Sequence, residues 1–168
     1  ISTVYFKASE EDQGKLDPFL IHRKNMNEAG QLALNIVCEL FNINSGTRQY
    51  VILKETIERV KKSDNPSMKM LKNYLEEVPE EDKCKEAAEL LARQLNSMDE
   101  ASLAGLLFGD GSQKELGFDN RINIIMIQDL VLPGRHTIKS DYTYEEKLGT
   151  VLMLAVSNFA KNFSQMDN

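Results

Sequence analysis

Residues Phe108–Leu132, FGDGSQKELGFDNRINIIMIQDLVL, decide the fold. Gly109, Asp110, Gly111 and Ser112 read as a loop, because two glycines among short polar side chains break regular structure. Ile122–Ile127 is then Ile-Asn-Ile-Ile-Met-Ile, with Asp119-Asn120-Arg121 before it and Gln128-Asp129 after it. That length, its β-branched content and its boundaries predict a buried strand rather than a helix. The chain before Phe108 reads as mostly helical, and after Pro133 as one long helix. A strand between helices means that the helices belong to a sheet. The fold class is therefore α+β, predominantly helical.

Moving toward the amino end, Asp99 to about Leu107 predicts a short helix leading into the loop. Pro79 opens another, with Glu80, Glu81 and Asp82 at the positive end of its dipole. Its inner face is Cys84, Ala87, Ala88, Leu91 and Leu95. Asn65-Pro66 opens the helix before that, with Asn as cap and Pro in the first turn, where a missing N–H costs nothing. Met68, Leu71, Leu75 and Val78 form its stripe. A helix from about Thr47 to Lys62 turns Tyr50, Leu53, Ile57 and Val60 inward. Asn25–Phe41 is the clearest early helix. Asn25 caps it, Glu28 sits three residues on, and Ala29, Leu32, Ala33, Ile36, Val37, Leu40 and Phe41 share one face. Together these helices predict a compact bundle over residues 25–107.

Ahead of the bundle, Leu16–Ile21 reads as an ordered, extended apolar turn, since Pro18 keeps Asp17 out of the helical region. Asp17 suits a cap for nearby backbone N–H groups, with ligand contact as the alternative. Ile1–Phe6 (ISTVYF) is β-branched and aromatic, which predicts a strand. Beyond the central strand, Leu130–Gly134 is a turn and Arg135–Asp141 is polar. Thr143-Tyr144-Glu145-Glu146 is a capping box. Leu148, Val151, Leu152, Ala155, Phe159 and Phe163, widened by Val156, then form one face, expected to pack on the sheet.

The 168 residues amount to about one domain, and 42% hydrophobic content is enough for a core. A formal net charge of −6 with no basic tract disfavours direct nucleic-acid binding. Cys38 and Cys84 are the only cysteines and read as reduced thiols. No apolar run reaches the 18 or so residues of a membrane span. The chain begins on an apolar run without methionine, and reads as a segment cut from a longer protein.

Little of the usual catalytic vocabulary is present. There is no GxxxxGK[ST] loop, whose backbone N–H groups and Lys hold phosphates. Gly109-Asp110-Gly111-Ser112 has glycines but no Lys. His22 and His136 lack partners at metal spacing, and Ser112 lacks a GxSxG context. Asp110, Asp119 and Asp129 lie near the strand, where ligands gather in open sheets, although solvated turn carboxylates are the default reading. Arg121 and Arg135 flank the strand. They suit either a surface ion pair or the stabilisation of phosphoryl-transfer charge on a neighbouring subunit. The acidic run Glu76–Asp82 reads as a solvated helix junction, with an acidic docking surface as the alternative.

Leu16-Asp17-Pro18-Phe19, the helix carrying Glu28-Ala29, Ala104–Ser112 (AGLLFGDGS), Arg121-Ile122-Asn123-Ile124, the strand end at Gln128, and Tyr142-Thr143-Tyr144-Glu145-Glu146 come in a definite order. That order resembles the VirB-four/TraC-type ATPases of conjugative type IV secretion, in the form found on Gram-positive conjugative elements. The resemblance covers nearly the whole chain and rests on the order of motifs rather than on any single one. It implies a RecA-like ATPase core with an all-helical insertion between the phosphate loop and an Asp-Glu motif. Residues 1–24 and 108–168 would belong to the core, and 25–107 to the insertion.

The resemblance further implies a parent that uses ATP and Mg and works as a hexamer. The parent would contact other secretion-channel proteins and lie in the cytoplasm at the inner face of the cell membrane. This chain holds neither nucleotide motif, so no cofactor is expected in it and the chain alone is expected to be inactive. Arg121, Arg135 and Gln128 stand as candidate catalytic residues, and Asp17 and Asp110 as candidate cofactor contacts. The competing class is a stand-alone helical interaction module. A small hydrolase using Asp110 or Asp129 is the third.

Overall fold

The computed structural model describes residues 1–118 and 120–166. Asp119, grouped above with Asp110 and Asp129, lies outside the described residues. Among the described residues, two strands and six α-helices follow in the order β1 (Ser2–Phe6), α1 (Pro18–Ile21), α2 (Met26–Phe41), α3 (Arg48–Lys61), α4 (Met68–Glu76), α5 (Lys85–Asn96), β2 (Asn123–Ile127) and α6 (Tyr144–Met166). Single 3₁₀ turns occur at Glu10–Asp12, Leu103–Leu107 and Lys139–Asp141. The fold is α+β and predominantly helical, as the sequence predicts.

Most helix starts follow their caps. The Asn25 side chain accepts from Glu28 N–H, and Thr47 from Tyr50 N–H. Thr143 Oγ1 accepts from Glu146 N–H at 3.2 Å. Three predicted starts shift. Leu16–Ile21 is not extended throughout: Asp17 is extended, but Pro18–Ile21 forms the helical turn α1. The cap of α4 is Ser67, which accepts from Met70 N–H, so Asn65-Pro66 precedes the helix rather than opening it. Pro79–Asp82 is a turn, and α5 begins only at Lys85, where the Asp82 carboxylate has already taken Cys84 N–H. The helix predicted from Asp99 tightens to the 3₁₀ turn Leu103–Leu107. A Cβ at Gly105 would lie 2.0 Å from the Glu100 carbonyl oxygen, so only glycine fits where this turn meets the chain before it.

The helices pack in a connected series. Helix α2 contacts α1, α3 and α6, α3 contacts α4 and α5, and α4 contacts α5. Their stripes join one buried cluster that includes Leu32, Ile36, Leu53, Leu71, Leu75, Leu91, Leu95 and Phe108. Removing a fully buried leucine from such a cluster costs about 2–5 kcal/mol.

Strands β1 and β2 are parallel, with Ser2 beside Asn123 and Phe6 beside Ile127. Side chains alternate across a strand. Val4, Phe6, Ile125 and Ile127 face the core. Tyr5, Ile124 and Met126, on the other face, are 61%, 43% and 44% exposed. The strand expected to be buried is therefore covered on one side only. Helix α6 also departs from expectation. It packs on α1, α2 and the Leu103–Leu107 turn more than on the strands.

Candidate functional site

Two constellations are built from polar residues at element ends. The first centres on Asp17, the cap of α1. Phe19 N–H donates to its Oδ1 at 2.9 Å. Met68 N–H, at the start of α4, and Gly109 N–H, in the central loop, each donate to its Oδ2 at 2.8 Å. The carboxyl is 2% exposed. Burial pushes it up to about 7 against the pull of those three donors, and the neighbouring Asp110 carboxylate pushes in the same direction as burial. Every donor is main chain, so Asp17 fastens three segments together. That is the cap role read in the sequence, extended far beyond its own turn.

Asp110 stands beside this fastening on the surface. It accepts from Ser112 N–H at 2.9 Å and from the Ser112 hydroxyl at 2.5 Å. Those two bonds hold its carboxyl below the usual range. The loop does not fit a phosphate. Gly109 N–H is committed to Asp17, Asp110 N–H to Gln113 Oε1 and Ser112 N–H to Asp110, and two carboxylates stand where a phosphate would add more negative charge. Backbone N–H groups already used inside a loop cannot form an anion cradle.

The second constellation lies at the carboxyl ends of the two parallel strands, the usual ligand position in α/β sheets. Ala8 follows β1 and Asp129-Leu130-Val131 follow β2. Ser97–Asp99, Ser102-Leu103 and the first turn of α6 complete a cleft of about 580 Å³. Leu103, Leu130, Val131, Leu148 and Met98 supply apolar wall, and Asp99, Asp129 and Glu145 supply carboxylates. Asp129 has φ 58, the left-handed region that Asp tolerates better than most residues. At Gly149 a Cβ would lie 1.8 Å from Val131 O, so α6 and the chain leaving β2 meet backbone to backbone. Burial, Glu145 and Asp99 together push the Tyr144 phenol up.

Among the described residues, no group of three or more His, Cys, Asp or Glu could hold a metal ion, and no helix is long and apolar enough to cross a membrane.

A family model described as an AAA-like domain matches residues 1–168, the whole chain. This chain belongs to the AAA-like domain family. No curated protein and no solved structure matches it significantly. Membership supports a P-loop ATPase-type origin.

Within this AAA-like domain the predicted site residues are dispersed. Asp17 and Asp110 come together. Arg121 and Gln128 flank opposite ends of β2, roughly 20 Å apart along an extended chain. Arg135 sits on an exposed loop further on, and neither arginine makes an ion pair among the described residues. Gln128 is exposed, and its N–H donates to Phe6 O at 2.9 Å, extending the ladder. Of the three aspartates near the strand, Asp129 lines the cleft. In the sequence Asp99 reads as a helix start, and Tyr144 and Glu145 as part of a capping box and of the ordered motifs. Nothing local in the sequence links them to Asp129.

Proposed function

We propose that this AAA-like domain is part of a conjugative-transfer, type IV secretion ATPase of the VirB-four/TraC kind, which energises DNA or protein transfer. Residues 25–107 act as its helical insertion, and residues 1–24 and 108–168 support the ATPase core. The phosphate site lies in another part of the parent, which uses ATP and Mg. The whole-chain family match carries this reading. The order of motifs from Leu16-Asp17-Pro18-Phe19 to Thr143-Tyr144-Glu145-Glu146 narrows it to the conjugative type. The committed N–H groups of the Gly109–Ser112 loop support placing the phosphate elsewhere.

On this reading the parent is a hexamer that contacts other channel proteins at the inner face of the membrane. The test reads the gene on both sides of the segment and assays ATP hydrolysis by its full product. A GxxxxGK[ST] loop upstream, an apolar strand ending in Asp-Glu downstream, and Mg-dependent hydrolysis are expected. Calorimetry of the chain itself with Mg-ATP should give no micromolar binding. Micromolar binding, or flanks without both motifs, would overturn the proposal, and a stand-alone helical interaction module would replace it.

A further inference from the structure

The cleft at the carboxyl ends of β1 and β2 combines two features that select one kind of occupant. Its residues include three carboxylates, Asp99, Asp129 and Glu145, and no Lys, Arg or His. Among the described residues, neither Asp129 nor Glu145 meets a cation within ion-pair distance. Carboxylates of one sign around a low-dielectric wall concentrate the field and draw in positive charge. Among the described residues no group of three or more His, Cys, Asp or Glu could hold a metal ion, these three carboxylates included. The charge they suit is therefore spread out, as on ammonium or guanidinium groups at intervals along a chain.

The wall is the second feature. Val131 is 47% exposed and Tyr144 42%, beside Leu130, Leu103 and the buried Leu148. An ammonium ion alone is strongly hydrated and gains nothing from such a wall. A large apolar side chain gains from it, and a volume of about 580 Å³ lies within the range of ligand pockets.

We infer that this cleft binds a segment of another polypeptide in which large apolar side chains alternate with Lys or Arg. The apolar side chains lie on Leu130, Val131 and Tyr144, and the cations face Asp99, Asp129 and Glu145. The inference does not depend on the conjugative reading. It uses only the geometry of this chain.

The probe is a fluorescein-labelled Lys-Leu-Lys-Phe-Lys-Leu-Lys peptide, followed by anisotropy against the full chain at low and moderate salt. Saturable binding that weakens with salt is expected. The double variant Asp129→Asn with Glu145→Gln should bind at least tenfold more weakly. Asparagine tolerates the left-handed backbone at Asp129, and both positions are exposed, so the fold is retained. Val131→Lys, which places a cation in the cleft, should bind at least tenfold more weakly as well. Glu80→Gln with Glu81→Gln, on the distant acidic turn, should leave binding unchanged.

Any of four results overturns the proposal: no binding, equal loss in the Glu80 and Glu81 control, undiminished binding by the double variant, or equal binding of a peptide with Gly in place of Leu and Phe. A second copy of the chain in the cleft also overturns it. That would appear as concentration-dependent sedimentation abolished by Val131→Lys. Because none of these readouts involves ATP, failure here leaves the gene-flank and hydrolysis test of the ATPase reading untouched.

Discussion

Asp17 accepts a hydrogen bond from Gly109 N–H at 2.8 Å across 92 residues of sequence. The same oxygen takes Met68 N–H, so one carboxylate ties the start of α4 and the central loop to the segment that precedes the helices. Asp17→Asn keeps one acceptor and turns an NH₂ toward backbone donors. A loss of about 1–3 kcal/mol is expected, since buried donors are left without a partner. Chemical denaturation at pH 5 measures it.

The pH dependence of that loss is fixed in sign. Asp17 titrates near 7 in the fold and near 3.8 when unfolded, so between those values the folded chain binds more protons. Its contribution is full below about pH 4 and falls as pH rises to 7, by at most about 1.4 kcal/mol per pH unit crossed. The stability difference between the wild type and Asp17→Asn should change across pH 4–7 and flatten above it. A difference that is level from pH 4 to 7 would contradict the buried carboxyl.

Ser67 and Asn65 separate two accounts of where α4 begins. The Ser67 hydroxyl accepts from Met70 N–H at 3.1 Å and is buried. Ser67→Ala should cost about 0.5–2 kcal/mol, the usual range for a lost cap. Asn65→Ala should stay within about 0.5 kcal/mol, because the exposed Asn65 side chain keeps its Cβ contact with the Gly111 turn when shortened to Ala. Thermal melts of the two variants decide between them.

Gly149 is the tightest point between α6 and the chain leaving β2. Alanine there puts a Cβ 1.8 Å from a backbone oxygen, which cannot rotate away. Gly149→Ala should destabilise by about 1–3 kcal/mol or more, as overpacking does. Ala at Gly46, where nothing lies within 4 Å, is the matched control and should be tolerated.

The outer sheet face predicts association of the isolated chain. Ile124 and Met126, beside Tyr5, form an apolar surface on a short open sheet, and such surfaces and edges recruit partners. Ile124→Thr with Met126→Lys should lower both the sedimentation coefficient at high concentration and hydrophobic-dye binding, with helix content unchanged. A wild-type chain that is strictly monomeric and dark with dye would refute this.

What the sequence made legible was local. Asn25 and Thr143 cap the helices their sequence predicts, because a cap and its N–H lie within one turn of each other. The stripes of α2, α3 and α6 were readable because 3.6-residue spacing separates buried from exposed positions. Ile122–Ile127 was readable as a strand but not as a half-covered one, since Ile and Met occupy both faces and no alternation marks the open side. Ser67 was hidden behind Asn65-Pro66, an equally good start signal two residues earlier. The long reach of Asp17, and the meeting of Asp99, Asp129 and Glu145, depend on tertiary packing that no local pattern encodes.

The parallel pairing of β1 with β2 has a consequence for biosynthesis. Within this segment Ser2 pairs with Asn123, which lies far along the chain. At about 5–20 residues per second, roughly 6–25 s separate their appearance on the ribosome. During that interval the helices between them, whose contacts are nearer in sequence, can already collapse, while Ile1–Phe6 awaits β2. Sheet closure is then the late, slow event expected of distant contacts. A nascent chain stalled before Asn123 should hold a formed helical body while Ile1–Phe6 still lacks its β2 partner.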